Sequence, residues 1–310
     1  MKVKVSNVAF SKNPYLVGKL LAEFPDAIIN EKGTRMSNEE LVGYFSDAEA
    51  AIVGLEAINA ELLDKLPQLK MIAKFGVGLD NIDLEACEQR NITVGWTGGV
   101  NRRSVAEMTL GFMLALSRNL FSTSAQLKEG NWNKNGGFQL TGKTIGIVGF
   151  GHIARELVLL LKPFQCKILV NDIIDLSSLV SRYEVTSVSK DVLFQEADII
   201  TLHTPLTIDT RNLFNKQVFE KMKTSALLIN TARGGIVNEV DLKLALQEKK
   251  IAGAALDVYE EEPPVDNELL QLENLICTPH TGGNSYEAVV AMGMSALEHL
   301  INYKKQMQII

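Results

Sequence analysis

The stretch TIGIVGFGHIARELVLLLKPF, residues 144–164, decides how this chain is read. Residues 144–148 form a short apolar run of strand character, GFGHIA (149–154) follows at once, and the residues after it have helical spacing. Two glycines at this spacing mean little alone. A strand before them, a helix after them and an acidic residue about twenty positions on make a specific dinucleotide fingerprint. Asp172, at the end of KILVND, supplies that residue. Gly149 permits the tight turn, Gly151 lets the backbone approach a pyrophosphate, and Ala154 is small enough for helix to pack on strand. His152 and Ile153 open the helix, whose free N–H groups and positive dipole end suit phosphate. Asp172 would accept hydrogen bonds from both ribose hydroxyls and repel a 2′-phosphate. No arginine follows it in IIDLSSLV, so NAD is expected rather than NADP.

Outward from this stretch, short apolar runs alternate with amphipathic helices. On the C-terminal side the runs are KILVND, VTSV, DIITLH, ALLINT, AGAALDV and NLICTP. On the N-terminal side they are KVKVSNVAF, AIIN (27–30), AAIVGL (50–55), KMIAKF (70–75) and ITVGW (92–96). Ser37 followed by Glu40 has the spacing of a capping box and marks a helix start. Such alternation implies parallel sheets with right-handed crossovers, hence α/β architecture in both halves. Residues 101–120 read as one long apolar helix linking two domains, followed by the polar loop KEGNWNKNGGFQL. The closing helix, SYEAVVAMGMSALEHLINYKK, is expected to return to the first domain.

Bulk properties set the outer limits. At 310 residues, about two domains are expected. A net charge of −6 gives no support to a nucleic-acid or anionic-membrane partner. The N-terminus lacks a signal-like apolar core, and no run reaches about 18 apolar residues, so no membrane span is expected. Three dispersed cysteines, Cys87, Cys166 and Cys277, suggest neither disulfides nor a metal site, and point to a reducing, cytoplasmic compartment.

The candidate chemistry lies at three strand ends of the second half. INTARGG (229–235) carries Thr231 and Arg233, LDVYEEEPP (256–264) carries Asp257 and Glu262, and TPHTGG carries His280. An arginine at such an edge suits a carboxylate or a polarised carbonyl. A carboxylate beside an imidazole stabilises its protonated form and suits proton exchange. Alone, a histidine beside a Pro-Gly turn is most simply structural; with these partners a catalytic role is favoured. His203 lacks such partners and reads as a strand-end residue beside the cofactor.

These stretches resemble the D-isomer-specific 2-hydroxyacid dehydrogenase family over essentially the whole chain. The resemblance implies two Rossmann-like, doubly wound parallel-sheet domains. A cofactor domain (101–282) would be inserted in a flavodoxin-like substrate domain (1–100 plus 283–310). Arg233 would anchor substrate and polarise its carbonyl, Glu262 would partner His280, and His280 would be the general acid/base. Asp257 would lie near the nicotinamide carboxamide, Thr204 and Pro205 would line the adenine side, and Thr231 would border the cofactor. Within KFGVGLDNID, the N–H groups of Gly76, Val77 and Gly78 would form a nest for the substrate carboxylate. Lys74 is placed to meet a distal anion or to remain solvated.

Within the family, NRRSVAE, WNK and GFGHIA most resemble D-3-phosphoglycerate dehydrogenases. Asn101 and Arg102 (or Arg103) would then reach toward substrate, or the arginines would pair across a subunit contact. Those enzymes commonly carry an arginine for the substrate phosphate where this chain has Glu56, which leaves glyoxylate or hydroxypyruvate reduction as the alternative. A chain ending at Ile310 would have no serine-sensing domain. Domain closure would exclude water, and the apolar helix 101–120 would form a homodimer contact. A rival of another class is an NAD-responsive corepressor-like binding protein, which would bind NADH yet turn over poorly.

Overall fold

The computed structural model describes residues 1–308. It divides into two compact units, Met1–Asn101 together with the segment from Gly283 on, and Arg102–Gly282. No helix among the described residues is long and apolar enough to cross a membrane.

The first unit holds β1 (Val3–Val5), β2 (Ile28–Ile29), β3 (Ala50–Val53), β4 (Met71–Lys74) and β5 (Thr93–Gly95). They form one parallel sheet in the order β2-β1-β3-β4-β5. Alternate residues bury on opposite faces. Val3, Val5, Ile52 and Ala73 pack with helices Pro14–Glu23 and Tyr286–Met307, while Ala51, Val53 and Ile72 pack with Leu41, Phe45, Leu62 and Leu63. A sheet buried on both faces reads as a continuous apolar run rather than an alternating one, which is why its strands were legible. The helix Asn38–Phe45 starts with the reciprocal capping box of Ser37 and Glu40. One expected strand is cut short: in KVKVSNVAF only Val3–Val5 pairs. Asn7 then accepts the Phe10 N–H and starts the helix Val8–Ser11. A side-chain oxygen that caps a turn locally outcompetes the β propensity of VAF.

The second unit holds β6 (Thr144–Val148), β7 (Lys167–Asn171), β8 (Thr186–Ser187), β9 (Ile199–Leu202), β10 (Leu227–Asn230), β11 (Gly253–Leu256) and β12 (Leu275–Cys277). All pair in parallel, in the order β12-β11-β10-β9-β6-β7-β8. The chain moves outward from β6 through β7 to β8, then returns to β9 on the other side. The switch point therefore lies between β6 and β9, where open α/β sheets bind ligands at their carboxyl ends. The helix His152–Leu161 buries Ala154, Leu157, Val158 and Leu161, spaced i, i+3, i+4 and i+7, against Ile145, Ile147 and Val170. Each such leucine contributes about 1.5–3 kcal/mol of transfer free energy.

The expected single helix over 101–120 is two. Arg102–Ser117 ends, Asn119 adopts left-handed φ 52°, and a second helix runs from Leu120 to Lys128, mostly over residues 121–127, for which no element was expected. Asn tolerates this conformation better than most residues, and its side chain holds the Asn135 carbonyl at 3.2 Å. Helix Arg102–Ser117 buries Ala106, Phe112, Met113 and Ala115 in the core of its own unit; helix Leu120–Lys128 buries nothing.

Candidate active site

The carboxyl ends of β6 and β9 meet at Gly149. Its φ is 88°, and a Cβ there would lie 2.6 Å from the His203 carbonyl oxygen and 2.7 Å from Thr204 Cγ2. Both the backbone sign and the space demand glycine. Gly151 is different: a Cβ on it would meet nothing within 4 Å. It caps the helix His152–Leu161 without any side-chain hydrogen bond, so no cap side chain meets the first N–H groups. His152 is exposed and Ile153 half-buried at the helix start. Asp172 ties the turn to β7: Oδ2 accepts the Phe150 N–H at 2.6 Å, and Oδ1 accepts those of Ile173 (2.6 Å) and Ile174 (3.2 Å). Two buried polar atoms at the end of β9, His203 Nδ1 and Thr204 Oγ1, have no hydrogen-bond partner among the described residues. Pro205 follows them, exposed. An uncapped helix start, a side-chain-free approach and unmatched polar atoms on the same edge fit a dinucleotide phosphate and ribose.

His203 is held by its Nε2, 3.1 Å from Thr201 Oγ1. Burial pushes its pKa down to about 3, so the ring is neutral at ordinary pH.

The ends of β10, β11 and β12 are stitched together beside this edge. The Asn230 side chain accepts the Ala232 N–H at 3.0 Å and donates to the Arg233 carbonyl at 2.8 Å, turning the chain after β10. Thr231 is buried, its Oγ1 3.0 Å from Thr109 Oγ1. Arg233 is half-buried, and its Nη1 donates to the Ala232 carbonyl at 2.7 Å. Gly234 lies so close to the next loop that a Cβ would sit 1.7 Å from the Tyr259 carbonyl oxygen. This contact brings the Arg233 loop against the Tyr259–Glu262 loop.

There Glu262 faces two ways. Its Oε1 accepts the Tyr259 N–H at 3.2 Å, and its Oε2 lies 2.8 Å from His280 Nδ1. Both side chains remain about one-third exposed, at 34% and 36%. A carboxylate on Nδ1 sets the ring's tautomer. His280 sits in the left-handed region at φ 53°, an uncommon backbone for a non-glycine residue.

Asp257 holds that conformation. It is 1% exposed; Oδ1 accepts Thr278 Oγ1–H (2.6 Å) and the Thr281 N–H (2.8 Å), and Oδ2 accepts the Gly282 N–H (2.7 Å). The carboxylate expected near the carboxamide is thus turned onto the histidine loop. Tyr259 adds its hydroxyl to the Leu256 and Thr278 carbonyls, and burial pushes its pKa up. Sequence reasoning overlooked Asn230, Gly234, Tyr259, Thr278 and Thr281. The threonines flanking His280 were visible, but nothing local showed that Asp257 would reach across to them.

In the first unit, the N–H groups of Gly76, Val77 and Gly78 find no hydrogen-bond acceptor among the described residues. Gly76 has φ 119°, and Trp96 Nε1 donates to the Val77 carbonyl at 2.8 Å. Lys74 is not solvated: at 3% exposure it donates to the Gly54 carbonyl and, at 2.6 Å, to Asn81 Oδ1. Asn101 is buried against Gly283, with its Oδ1 unpartnered. In the second unit, Arg102 and Arg103 reach Glu156, on the cofactor-fingerprint helix, at 3.4 and 3.0 Å. This ion pair within the unit differs from the substrate or subunit contact expected from the sequence.

A parallel sheet with this strand order, a glycine turn at its switch point and a His–Glu pair on the same edge define a dinucleotide-binding module of the oxidoreductase kind. Residues 110–282 match the model of the D-isomer specific 2-hydroxyacid dehydrogenase NAD-binding domain. A D-3-phosphoglycerate dehydrogenase of Methanocaldococcus jannaschii is 39% identical over 87% of this chain and 52% of its own length. This chain therefore spans about half of that relative. A hydroxypyruvate reductase of Thermotoga maritima is 36% identical over 86% of this chain and 88% of its own length. The crystal structure of an Aquifex aeolicus D-lactate dehydrogenase, complexed with NAD and lactic acid, superposes with a TM-score of 0.84. It is 25% identical and covers 99% of this chain and 96% of its own. The chain belongs to the D-isomer specific 2-hydroxyacid dehydrogenase family.

Proposed function

We propose that the protein is an NAD-dependent D-2-hydroxyacid dehydrogenase acting on a small 2-hydroxy or 2-keto acid. The observation that carries this reading is the His280–Glu262 pair, 2.8 Å apart, on the sheet edge that bears the Gly149–Gly151 turn. The turn and the start of helix His152–Leu161 hold the pyrophosphate, and Asp172 receives the adenosine ribose. Thr204 and Pro205 line the adenine side, with Thr231 beside the cofactor. Bound nicotinamide supplies or accepts the hydride at the substrate's C2. His280 gives a proton to the carbonyl oxygen during reduction and takes it back during oxidation, while Glu262 stabilises the imidazolium between turnovers. Arg233 offers a planar fork to the substrate's carboxylate and carbonyl. The unpartnered N–H groups of Gly76–Gly78 are suited to a carboxylate as well.

An NADH-oxidation assay over small 2-keto acids tests this. His280→Ala should lower kcat by about 10³-fold or more, within the range for losing a general acid plus its orientation. NADH affinity should stay within a few-fold. Turnover surviving within a few-fold would remove His280 from the proton path. Robust turnover of any keto acid would also set aside a purely NADH-sensing role.

We infer further that the protein is a cytoplasmic homodimer with no nucleic-acid or membrane partner. The contact face shifts from the expectation. Helix Arg102–Ser117 covers its apolar residues internally, whereas Leu120, Phe121, Leu127 and Trp132 are 53%, 59%, 55% and 78% exposed. Clustered exposed apolar side chains mark association surfaces.

A further inference from the structure

Beside the loop that carries Glu262 stands a carboxylate that the mechanism above leaves without a task. The chain after Arg233 runs through residues 235–238 into the helix Glu239–Gln247. That run is tied down. The Asn212 N–H donates to the Gly235 carbonyl (2.8 Å), the Phe214 N–H to that of Ile236 (3.1 Å) and the Asn238 N–H to that of Phe214 (2.8 Å). Asn238 caps the helix, its side chain accepting the Asp241 N–H at 2.9 Å. Glu239 is therefore not needed as the cap. Its Oε1 instead reaches across to accept the Glu260 N–H at 2.6 Å.

That bond grips one particular peptide. The Tyr259–Glu260 peptide presses on Gly234, where a Cβ would sit 1.7 Å from the Tyr259 carbonyl oxygen and 2.6 Å from the Glu260 nitrogen. One peptide earlier, the Tyr259 N–H donates to Glu262 Oε1 at 3.2 Å, and Glu262 Oε2 meets His280 Nδ1 at 2.8 Å. Turning the Tyr259–Glu260 peptide over would set its carbonyl oxygen against the Glu239 carboxylate, so the charge enforces one orientation. Holding that charge there is costly. Burial pushes the Glu239 carboxyl up, the Glu260 N–H pulls it down, and the charges of Glu260, Asp266 and Glu262 push it up again. The nearby cations are committed elsewhere: Lys243 bridges Asp266 (2.7 Å) and Glu268 (3.2 Å), and Arg211 pairs with Glu260 (3.1 Å). The compensating gain is a short, charge-assisted hydrogen bond to the loop. We propose that Glu239 is a positioning residue for proton transfer, fixing the Tyr259–Glu260 peptide so that the loop presents Glu262 to His280. The inference rests on the dehydrogenase reading, and it leaves the cofactor turn at Gly149–Gly151 untouched.

The test combines steady-state NADH oxidation by the full chain, with hydroxypyruvate, glyoxylate and pyruvate, and a nuclear magnetic resonance readout of His280. Glu239→Ala should lower kcat by about tenfold or more and leave KM for NADH within about twofold. Glu239→Gln still offers an oxygen to the Glu260 N–H and should recover kcat to within about threefold of wild type. In protein carrying isotope-labelled histidine, the His280 Nδ1–H signal is assigned by its loss in His280→Ala. It should persist in wild type and Glu239→Gln, and broaden or vanish in Glu239→Ala. A role confined to the helix start would lower the melting temperature of Glu239→Ala but leave kcat and that signal unchanged, and this result overturns the proposal. So does a Glu239→Gln no more active than Glu239→Ala. If Glu239→Ala does not fold, wild type decides: its Glu260 N–H should exchange with solvent about tenfold or more slowly than that of exposed Glu261, and equal rates overturn the assignment. No turnover of any of these keto acids by wild type overturns the dehydrogenase reading, and the histidine signal still reports whether Glu239 holds the pair.

Discussion

His280 is held in a left-handed backbone conformation by groups that are themselves buried, and its position depends on one carboxylate more than on its own neighbours. Asp257 accepts from Thr278 Oγ1, Thr281 N and Gly282 N, so residues on both sides of His280 converge on it. Asp257→Asn keeps the shape but turns an NH2 group toward one of these donors, leaving a buried donor facing another. The expected outcome is a fall in kcat of about 10²-fold, the scale of a 1 Å misplacement of a reacting group. NADH affinity should change little. A kcat within twofold of wild type would show that the loop keeps its shape without the carboxylate. The candidate trio of Arg233, Glu262 and His280 could be named from residue types and strand ends, together with the family resemblance. The role of Asp257 could not, because its partners lie 21–25 residues away and only the register of β11 and β12 aligns them.

At the scale of elements, the end of β9 carries a half-buried histidine whose Nδ1 is enclosed, which gives the second unit an expected pH response. Folding depresses the pKa of His203 from 6.5 to about 3, so between these values the unfolded chain binds more protons than the folded one. Stability therefore rises with pH across that window. The contribution is fully present above pH 6.5 and is lost as pH falls toward 3, at about 1.4 kcal/mol for each unit well inside the window. Urea unfolding of wild type and His203→Asn at pH 7, 5.5 and 4.5 checks this. The variant should show a flatter decline, and parallel curves would place the ring's charge change elsewhere. Elements as such were largely legible. Runs buried on both faces of a sheet announce themselves, as does the Ser37–Glu40 capping box. The helix Val8–Ser11 and the break at Asn119 escaped because each depends on one asparagine: one caps a turn, the other accepts positive φ.

For the whole molecule, the assembly prediction follows from which apolar side chains the fold leaves uncovered. Light scattering coupled to size exclusion should return twice the chain mass at micromolar concentration. Phe121→Glu with Trp132→Glu should shift it toward the monomer, since charges on such a face oppose burial. A monomer mass for wild type would end the proposal. Composition alone could not locate this face. Helix Arg102–Ser117 looked over-rich in apolar residues, and only tertiary packing showed that Ala106, Phe112 and Met113 are covered from within.

Local order in the chain was enough to establish parallel α/β architecture and to nominate the turn at Gly149–Gly151 and the polar residues at the strand ends as candidates. Periodicity, glycine sign requirements and helix dipoles are short-range properties written in consecutive residues. Tertiary structure alone decided which polar groups remain available. It buried Lys74 in a loop tie, turned Asp257 onto the histidine loop, and paired Arg102 and Arg103 with Glu156. Hydrogen bonds of this kind join residues distant in sequence, so their allocation follows from strand order and loop packing rather than from neighbours along the chain.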